Sequence, residues 1–272
     1  MLPPLNVPAL LRAHGLRPNK RLGQNFLVDE VHLENIVRAA GVGAGDEVLE
    51  IGAGLGSLTR HLAAAAGRVV AVELDAGLLP ALSSTLQGVE NVQVLHADIF
   101  DVDISQHFTQ DGFLVVANIP YYLTSNLIRH LLESHPRPAR MALTVQLEVA
   151  QRACASAPDL SLLALSVQLY GQPRLAHHIP AGAFYPAPNV DSALLLIELY
   201  QQPLLPWERI DPFFKVAKAA FAQKRKTLAN SLGAMWGKTE AASRLQAAGI
   251  DPMRRPQTLT LEEWGRLINE PG

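Results

Sequence analysis

The 272-residue sequence predicts an α/β fold: a mostly parallel sheet with helices on both faces, followed by a small all-helical carboxy-terminal domain. Three observations carry that expectation. From residue 47 short continuous apolar runs alternate with amphipathic segments, the pattern of strands buried on both faces and joined by helices. Hydrophobic residues make up 49% of the chain, ample for a core of that size. Beyond residue 200 the strand-like runs stop and helical periodicity takes over.

Each element has a local reason. "EVLEIGAG" (47–54) is an apolar run ending in glycines, a strand entering a tight turn. "SLTRHLAAAA" (57–66) follows as a helix, with Ser57 placed to cap it. "RVVAVELD" (68–75) reads as the next strand and "AGLLPALSSTLQ" (76–87) as a helix with an early proline. "VQVLHAD", "FLVVANIPY" and "RMALTVQ" supply three more strands, with the helix "TSNLIRHLLES" between the last two. After "QLEVAQRA" comes a further helix, "LSLLALSVQLYG", then the strands "RLAHHIP" and "SALLLIELY" around a proline-rich loop, "AGAFYPAPNV". That loop is long enough to be functional. "QQPLLPWERIDP" (201–212) reads as a linker. "FFKVAKAAFAQKRKTLANSLGAMW" and "TEAASRLQAAGI" are helical, and "TLTLEEWGRLINE" opens with a Thr260–Glu263 capping box. The expected domains are 1–200, with a basic segment over 1–28, and 205–272.

Composition narrows the function classes. The single cysteine, Cys154, read as a buried small residue, excludes a disulfide framework and a cysteine-based metal site. The longest apolar runs are too short to span a bilayer, and the amino terminus lacks a signal pattern, which predicts a cytoplasmic protein away from membranes. Net charge is −2 but unevenly spread. Residues 1–200 carry 12 Lys plus Arg against 18 Asp plus Glu, and residues 201–272 carry 11 against 7. Arg12, Arg17, Lys20 and Arg21 precede the first acid. Both ends therefore suit a polyanion better than the middle does. His177 and His178 lack metal-ligand spacing and read as structural.

The glycine turn "EIGAGLG" puts Gly52, Gly54 and Gly56 after the first sheet strand, where backbone can approach a ligand closely. Glu73 closes the second strand, placed to accept hydrogen bonds from ribose hydroxyls, and Asp98 closes the third, placed for an adenine amino group. The GxGxG spacing points to a nucleoside with a short tail, such as S-adenosylmethionine, with a dinucleotide as the alternative.

The fourth strand runs into Asn118, Ile119, Pro120 and Tyr121. An exocyclic adenine amine is a poor nucleophile because its lone pair is delocalised into the ring. Two acceptors, the Asn118 side-chain oxygen and the Ile119 carbonyl, would return that lone pair to nitrogen. Pro120 would hold the carbonyl outward, and Tyr121 would offer a face for a flipped-out base.

With these residues the sequence resembles the ribosomal RNA small-subunit adenine dimethyltransferase family along almost its whole length. The motifs are "KRLGQNFLVD" (20–29), "LEIGAGLGSLT" (49–59), "NIPYYLTS" (118–125), "FYPAPNVDSAL" (184–194) and "FAQKRKTLANSL" (221–232). The resemblance implies a seven-stranded, Rossmann-like methyltransferase sheet. It implies S-adenosylmethionine as donor, held by Asn25, Leu27, Gly52, Gly54, Glu73, Asp98 and Asn118, and no metal. It also implies that Asn118, Pro120 and Tyr121 handle the base, with Phe184 as a second aromatic wall. The implied substrate is two adjacent adenines near the 3′ end of small-subunit (16S) ribosomal RNA in a pre-ribosomal particle, and the implied state is a monomer. Arg17, Lys20, Arg21, Lys224, Arg225 and Lys226 are candidate phosphate contacts, joined by Lys215, Lys218, Arg254 and Arg255. Ala53 replaces a frequent proline and Leu147 a frequent lysine. The rival readings are a large-subunit RNA methyltransferase of the macrolide-resistance type and a weakly catalytic RNA-binding assembly factor.

Overall fold

The computed structural model describes residues 2–119, 124–223 and 225–269. The chain opens with α1 (Val7–Ala13) and a two-residue strand, β1 (Phe26–Leu27). α2 (Glu30–Ala40) starts where the Asp29 carboxylate accepts from the amides of Val31 (2.9 Å) and His32 (3.2 Å). It stops at Gly41, whose φ of +66° ends the helix in a left-handed turn. The expected alternation follows as β2 (Glu47–Ile51), α3 (Ser57–Ala65), β3 (Arg68–Glu73), α4 (Leu79–Thr85) and β4 (Val92–His96). It continues through β5 (Leu114–Asn118), α5 (Thr124–Leu132), β6 (Arg140–Gln146), α6 (Leu147–Ala153) and α7 (Leu162–Gln168). β7 (Gly171–Ile179), β8 (Phe184–Tyr185) and β9 (Ser192–Leu199) precede the helices α8 (Trp207–Phe221), α9 (Leu228–Trp236), α10 (Lys238–Ala247) and α11 (Leu261–Asn269).

Seven strands form one sheet in the order β4-β3-β2-β5-β6-β9-β7. β4 through β6 run parallel and β9 antiparallel to β6. Val48, Leu49, Val69, Val70, Val115, Val116, Met141 and Leu143 are all 1% exposed or less. This explains why these strands read as unbroken apolar runs: both faces are covered, and each such side chain contributes roughly 1.5–3 kcal/mol. The order reverses between β2 and β5, so the carboxyl ends of β2 to β5 surround a crevice.

Several local expectations change. Gly56, with φ +86°, occupies the position before α3, so Ser57 is the first helical residue and its buried Oγ has no hydrogen-bond partner. The turn needs a left-handed residue there, which displaces the serine from the cap. α8 begins at Trp207, inside the stretch read as a linker, with Pro212 in its first half. The long helical pattern after it breaks at 222–227 into α8 and α9. Cys154 is half-buried. The loop between β7 and β9 contains β8, which pairs antiparallel with β1.

Two compact units result. The first runs to Ala150 and resumes over Pro173–Leu199; the second takes Gln151–Gln172 and the chain from Tyr200 onward. Residues 151–172, expected with the sheet, belong to the helical unit. Gln168 Nε2 donates to the carbonyls of Ala153 (3.1 Å) and Ala155 (2.8 Å), and the Leu160 amide to Gln257 O (3.1 Å). In the first unit α1 is anchored by Val7 and Leu11, packed with Phe26, Leu55, Leu78 and Ala81. His177 meets His32 at 2.8 Å and His178 meets Asp191 at 3.0 Å, in keeping with structural roles. No helix among the described residues is long and apolar enough to cross a membrane.

The second unit centres on Trp264, fully buried, with the Phe221 ring stacked on it at 5.8 Å and Phe213 edge-on at 6.3 Å. The capping box at α11 is present: the Thr260 amide donates to Glu263 Oε2 (2.8 Å) and the Glu263 amide to Thr260 Oγ1 (3.2 Å). Thr260→Ala is expected to lower unfolding stability by about 1 kcal/mol, read as a lower urea midpoint at unchanged slope.

Candidate active site

A cleft opens at the carboxyl ends of β2 to β5. Its floor is the loop after β2, where the Gly52 amide donates to Val72 O at 2.8 Å. Gly54 has φ +59°, and a Cβ there would lie 3.2 Å from the Phe26 ring. Only glycine lets this loop lie flat beneath the ring while turning left-handed. Leu22, Gly23, Gln24, Asn25 and Phe26 of the amino-terminal segment line it as well. Leu74, Leu78 and Ile99 give it apolar sides.

Two of the expected acids stand at the rim. Glu73 is 6% exposed and is bonded through both oxygens: Oε2 accepts from Gly54 N (2.7 Å) and Oε1 from Asp75 N (2.8 Å). Burial pushes its carboxyl above the usual range, and these backbone bonds oppose that push. Each oxygen keeps a lone pair for a further donor. Asp98 uses Oδ1 to accept the Phe100 amide (3.1 Å) and lines the cleft beside Ile99. Asp75 also receives Gln24 Nε2 at 2.7 Å, pinning the amino-terminal wall to the end of β3. Leu74 and Ile99 carry no motif of their own and are legible only as the residues that follow Glu73 and Asp98, whereas Gln24 lies within the 20–29 motif.

Asn118, at the end of β5, lines the same cleft, and its Nδ2 donates to Asn25 O at 3.0 Å. A hydrogen bond across 93 positions thus joins the catalytic candidate to the amino-terminal wall. The Ile119 amide donates to Thr144 O at 3.2 Å, carrying the ladder one residue past the strand. Pro120 and Tyr121 lie outside the described residues. Leu27 and Phe184, expected at the donor and at the base, pair with each other across the β1–β8 ladder. They are 3% and 4% exposed, pack in the core and do not line the cleft. The residue presented outward at that ladder is Tyr185, 40% exposed.

Arg17, Lys20 and Arg21 are exposed in the first unit, and Arg225 and Lys226 in the second. Lys224 is outside the described residues. Arg254, suggested as a phosphate contact, is committed elsewhere: its guanidinium makes paired bonds to Glu263 at 2.5 and 3.0 Å. This pairing holds the Glu263 carboxyl below the usual range.

Glu50, on β2 behind the glycine loop, is 1% exposed, and burial, with Thr59 opposing and the Glu73 charge adding, pushes its carboxyl up to about 8. The folded chain therefore keeps a proton that the unfolded chain releases near its ordinary 4.5, and stability falls as pH rises between those values. Glu50→Gln, which cannot ionise, should gain on the wild type steadily from about pH 5 to 8 and no further above, by urea titration across that range. Gly54→Ala should cost about 1–3 kcal/mol of stability, read as a lower urea midpoint at unchanged slope.

Residues 15–271 match the family model for ribosomal RNA adenine dimethylase. A ribosomal RNA small subunit methyltransferase A of Moorella thermoacetica is 44% identical, over 95% of this chain and 94% of its own. The protein of the same description from Dehalococcoides mccartyi is 42% identical, over 96% of this chain and 91% of its own. Among solved structures, the 23S rRNA methyltransferase ErmE superposes with a TM-score of 0.72 at 27% identity, covering 90% of this chain and 98% of that one. A dimethyladenosine transferase from Plasmodium falciparum shares the fold, with a TM-score of 0.78 at 24% identity over 89% and 95% of the two chains. The sheet, the acid-rimmed cleft and a match over nearly every residue lead to one conclusion: this chain belongs to the ribosomal RNA adenine dimethylase family.

Proposed function

We propose that the protein dimethylates the exocyclic amino groups of two adjacent adenines near the 3′ end of small-subunit (16S) ribosomal RNA, in the cytoplasm, during assembly of the small subunit. The observation that carries this reading is the meeting of Asn118 with Glu73 and Asp98 around one cleft. The donor would be S-adenosylmethionine, which when bound supplies an electrophilic methyl group on a cationic sulfur. The cleft suits it: Glu73 has a free lone pair on each oxygen for ribose hydroxyls, Asp98 stands one strand away for the adenine amine, and Leu74 and Ile99 are apolar walls for its ring.

The chain's own part in the chemistry is to bind and orient. Asn118 Oδ1 and the Ile119 carbonyl accept the two N–H groups of the target amine, favouring a pyramidal nitrogen with an available lone pair. Tyr121 stacks the flipped base, and Pro120 holds the carbonyl. Alignment of nitrogen with the methyl carbon supplies most of the rate, and the neutralised sulfur requires no oxyanion hole. Arg17, Lys20, Arg21, Lys224, Arg225 and Lys226 neutralise phosphates, so binding weakens steeply with salt. The substrate is a pre-ribosomal particle, and the protein acts on it as a monomer.

The likeness to ErmE favours a second reading, a large-subunit substrate. Identities of 42% and 44% with small subunit methyltransferases support the first. Unmodified small and large subunits incubated with methyl-labelled donor, then digested to nucleosides, separate the two. Dimethyladenosine from the small subunit alone is expected; label confined to the large subunit, or to neither, would overturn the proposal. Asn118→Ala should cut transfer at least a hundredfold, read as loss of labelled dimethyladenosine from the subunit that the wild type modifies.

A further inference from the structure

We propose that Thr144 is a positioning residue for the transfer step, orienting the Asn118 carboxamide so that its oxygen faces the target amine. The inference rests on the reading of Asn118 just given. Thr144 lies on β6 directly beside Asn118 in the parallel register of β5 and β6. Strands in a sheet are roughly 4.8 Å apart, and laterally paired residues project to the same face. The Thr144 and Asn118 side chains therefore stand side by side on one face of the sheet, at the spacing of adjacent strands.

The hydroxyl is otherwise anomalous. Thr144 is 0% exposed, and its Oγ1 has no hydrogen-bond partner. Its neighbours along β6, Met141, Ala142, Leu143 and Val145, are buried and apolar, as is Leu194 opposite it on β9. A buried hydroxyl left unbonded costs folding stability, and valine would fill nearly the same space without that cost. Nothing in the packing of the sheet explains a threonine here, whereas the geometry of Asn118 does.

Asn118 has two amide hydrogens and one oxygen. One hydrogen is committed to Asn25 O at 3.0 Å. If Thr144 Oγ1 accepts the other, both hydrogens are taken from the protein side and Oδ1 is the atom left to face the cleft. A carboxamide held by one bond can rotate and present nitrogen, a donor, to an amine that needs an acceptor. Catalytic hydrogen bonds commonly tighten only when a site is loaded, so the present lack of contact fits a bond formed as the site fills. The same residue's carbonyl receives the Ile119 amide at 3.2 Å, so the backbone of Thr144 already holds the peptide next to the second proposed acceptor.

The test compares the wild type, Thr144→Val and Thr144→Ser as full chains, on whichever unmodified ribosomal subunit the wild type labels. Thr144→Val should lower kcat about tenfold, with KM for the subunit and S-adenosylhomocysteine affinity unchanged and a melting temperature equal to or above wild type. Thr144→Ser should recover kcat to within about twofold of wild type. Wild-type kcat in Thr144→Val overturns the proposal. So does a loss that serine fails to restore, or one accompanied by a lower melting temperature or weaker S-adenosylhomocysteine binding. Failure of the underlying reading shows itself differently: full transfer by Asn118→Ala, or no labelled subunit with the wild type, removes both.

Discussion

A buried carboxylate organises this molecule's working end. Glu73 sits at the end of β3 with 6% of its surface exposed, where an unpaired charge would be costly. It is kept by two backbone amides, one from Gly54 in the loop after β2 and one from Asp75 in its own turn. Hydrogen bonds to a charged acceptor contribute about 1.5–3 kcal/mol each, enough to offset much of the burial. Asp75 extends the chain of bonds by receiving Gln24, which draws the amino-terminal segment over the cleft. Glycine loop, strand end and covering wall are thus parts of one network, and the acid at the cleft is what holds its surroundings.

A second tie runs through Asn118 to the backbone of Asn25, and a third through the β1–β8 ladder, where Val28 N also donates to Ala183 O at 2.9 Å. These bonds join segments from the start, middle and end of the first unit. They place polar groups on the ends of strands whose other residues are locked in the core, which suits chemistry that depends on alignment more than on a reactive side chain. The ladder also explains the fate of Phe184 and Leu27. Directly opposite each other, they complete the core beneath the wall and leave its surface to Asn25 and Phe26.

Charge distribution divides along similar lines. Cations that the sequence grouped together separate into those consumed by the fold and those left exposed. Arg254 braces α11 through Glu263, while Arg225 and Lys226 project from the turn between α8 and α9. A basic residue's identity says little about which group it joins, because the partner that neutralises it can be nine positions away, as for Arg254, or 58, as for Arg140.

Much of the architecture was legible from the residues alone. Strands buried on both faces must read as apolar runs, and left-handed turns must read as glycine, so β2, β3, β5, β6, β9 and the loop at Gly52, Gly54 and Gly56 were foreseeable. Glu73, Asp98 and Asn118 followed because a parallel sheet brings strand ends together. Ser57 was misread as a cap because the glycine before it satisfies the turn. Residues 151–172 were misplaced because a helix's periodicity shows that one face is buried, not against what. What the sequence determined by itself is therefore the set of elements and the chemistry carried at their ends, both governed by local periodicity and backbone sterics. Only the tertiary structure decided that Gln24 holds Asp75, that Asn25 holds Asn118, and that Thr144 stands beside it with an unused hydroxyl. Those are contacts across long separations, set by register and packing, which no local pattern encodes.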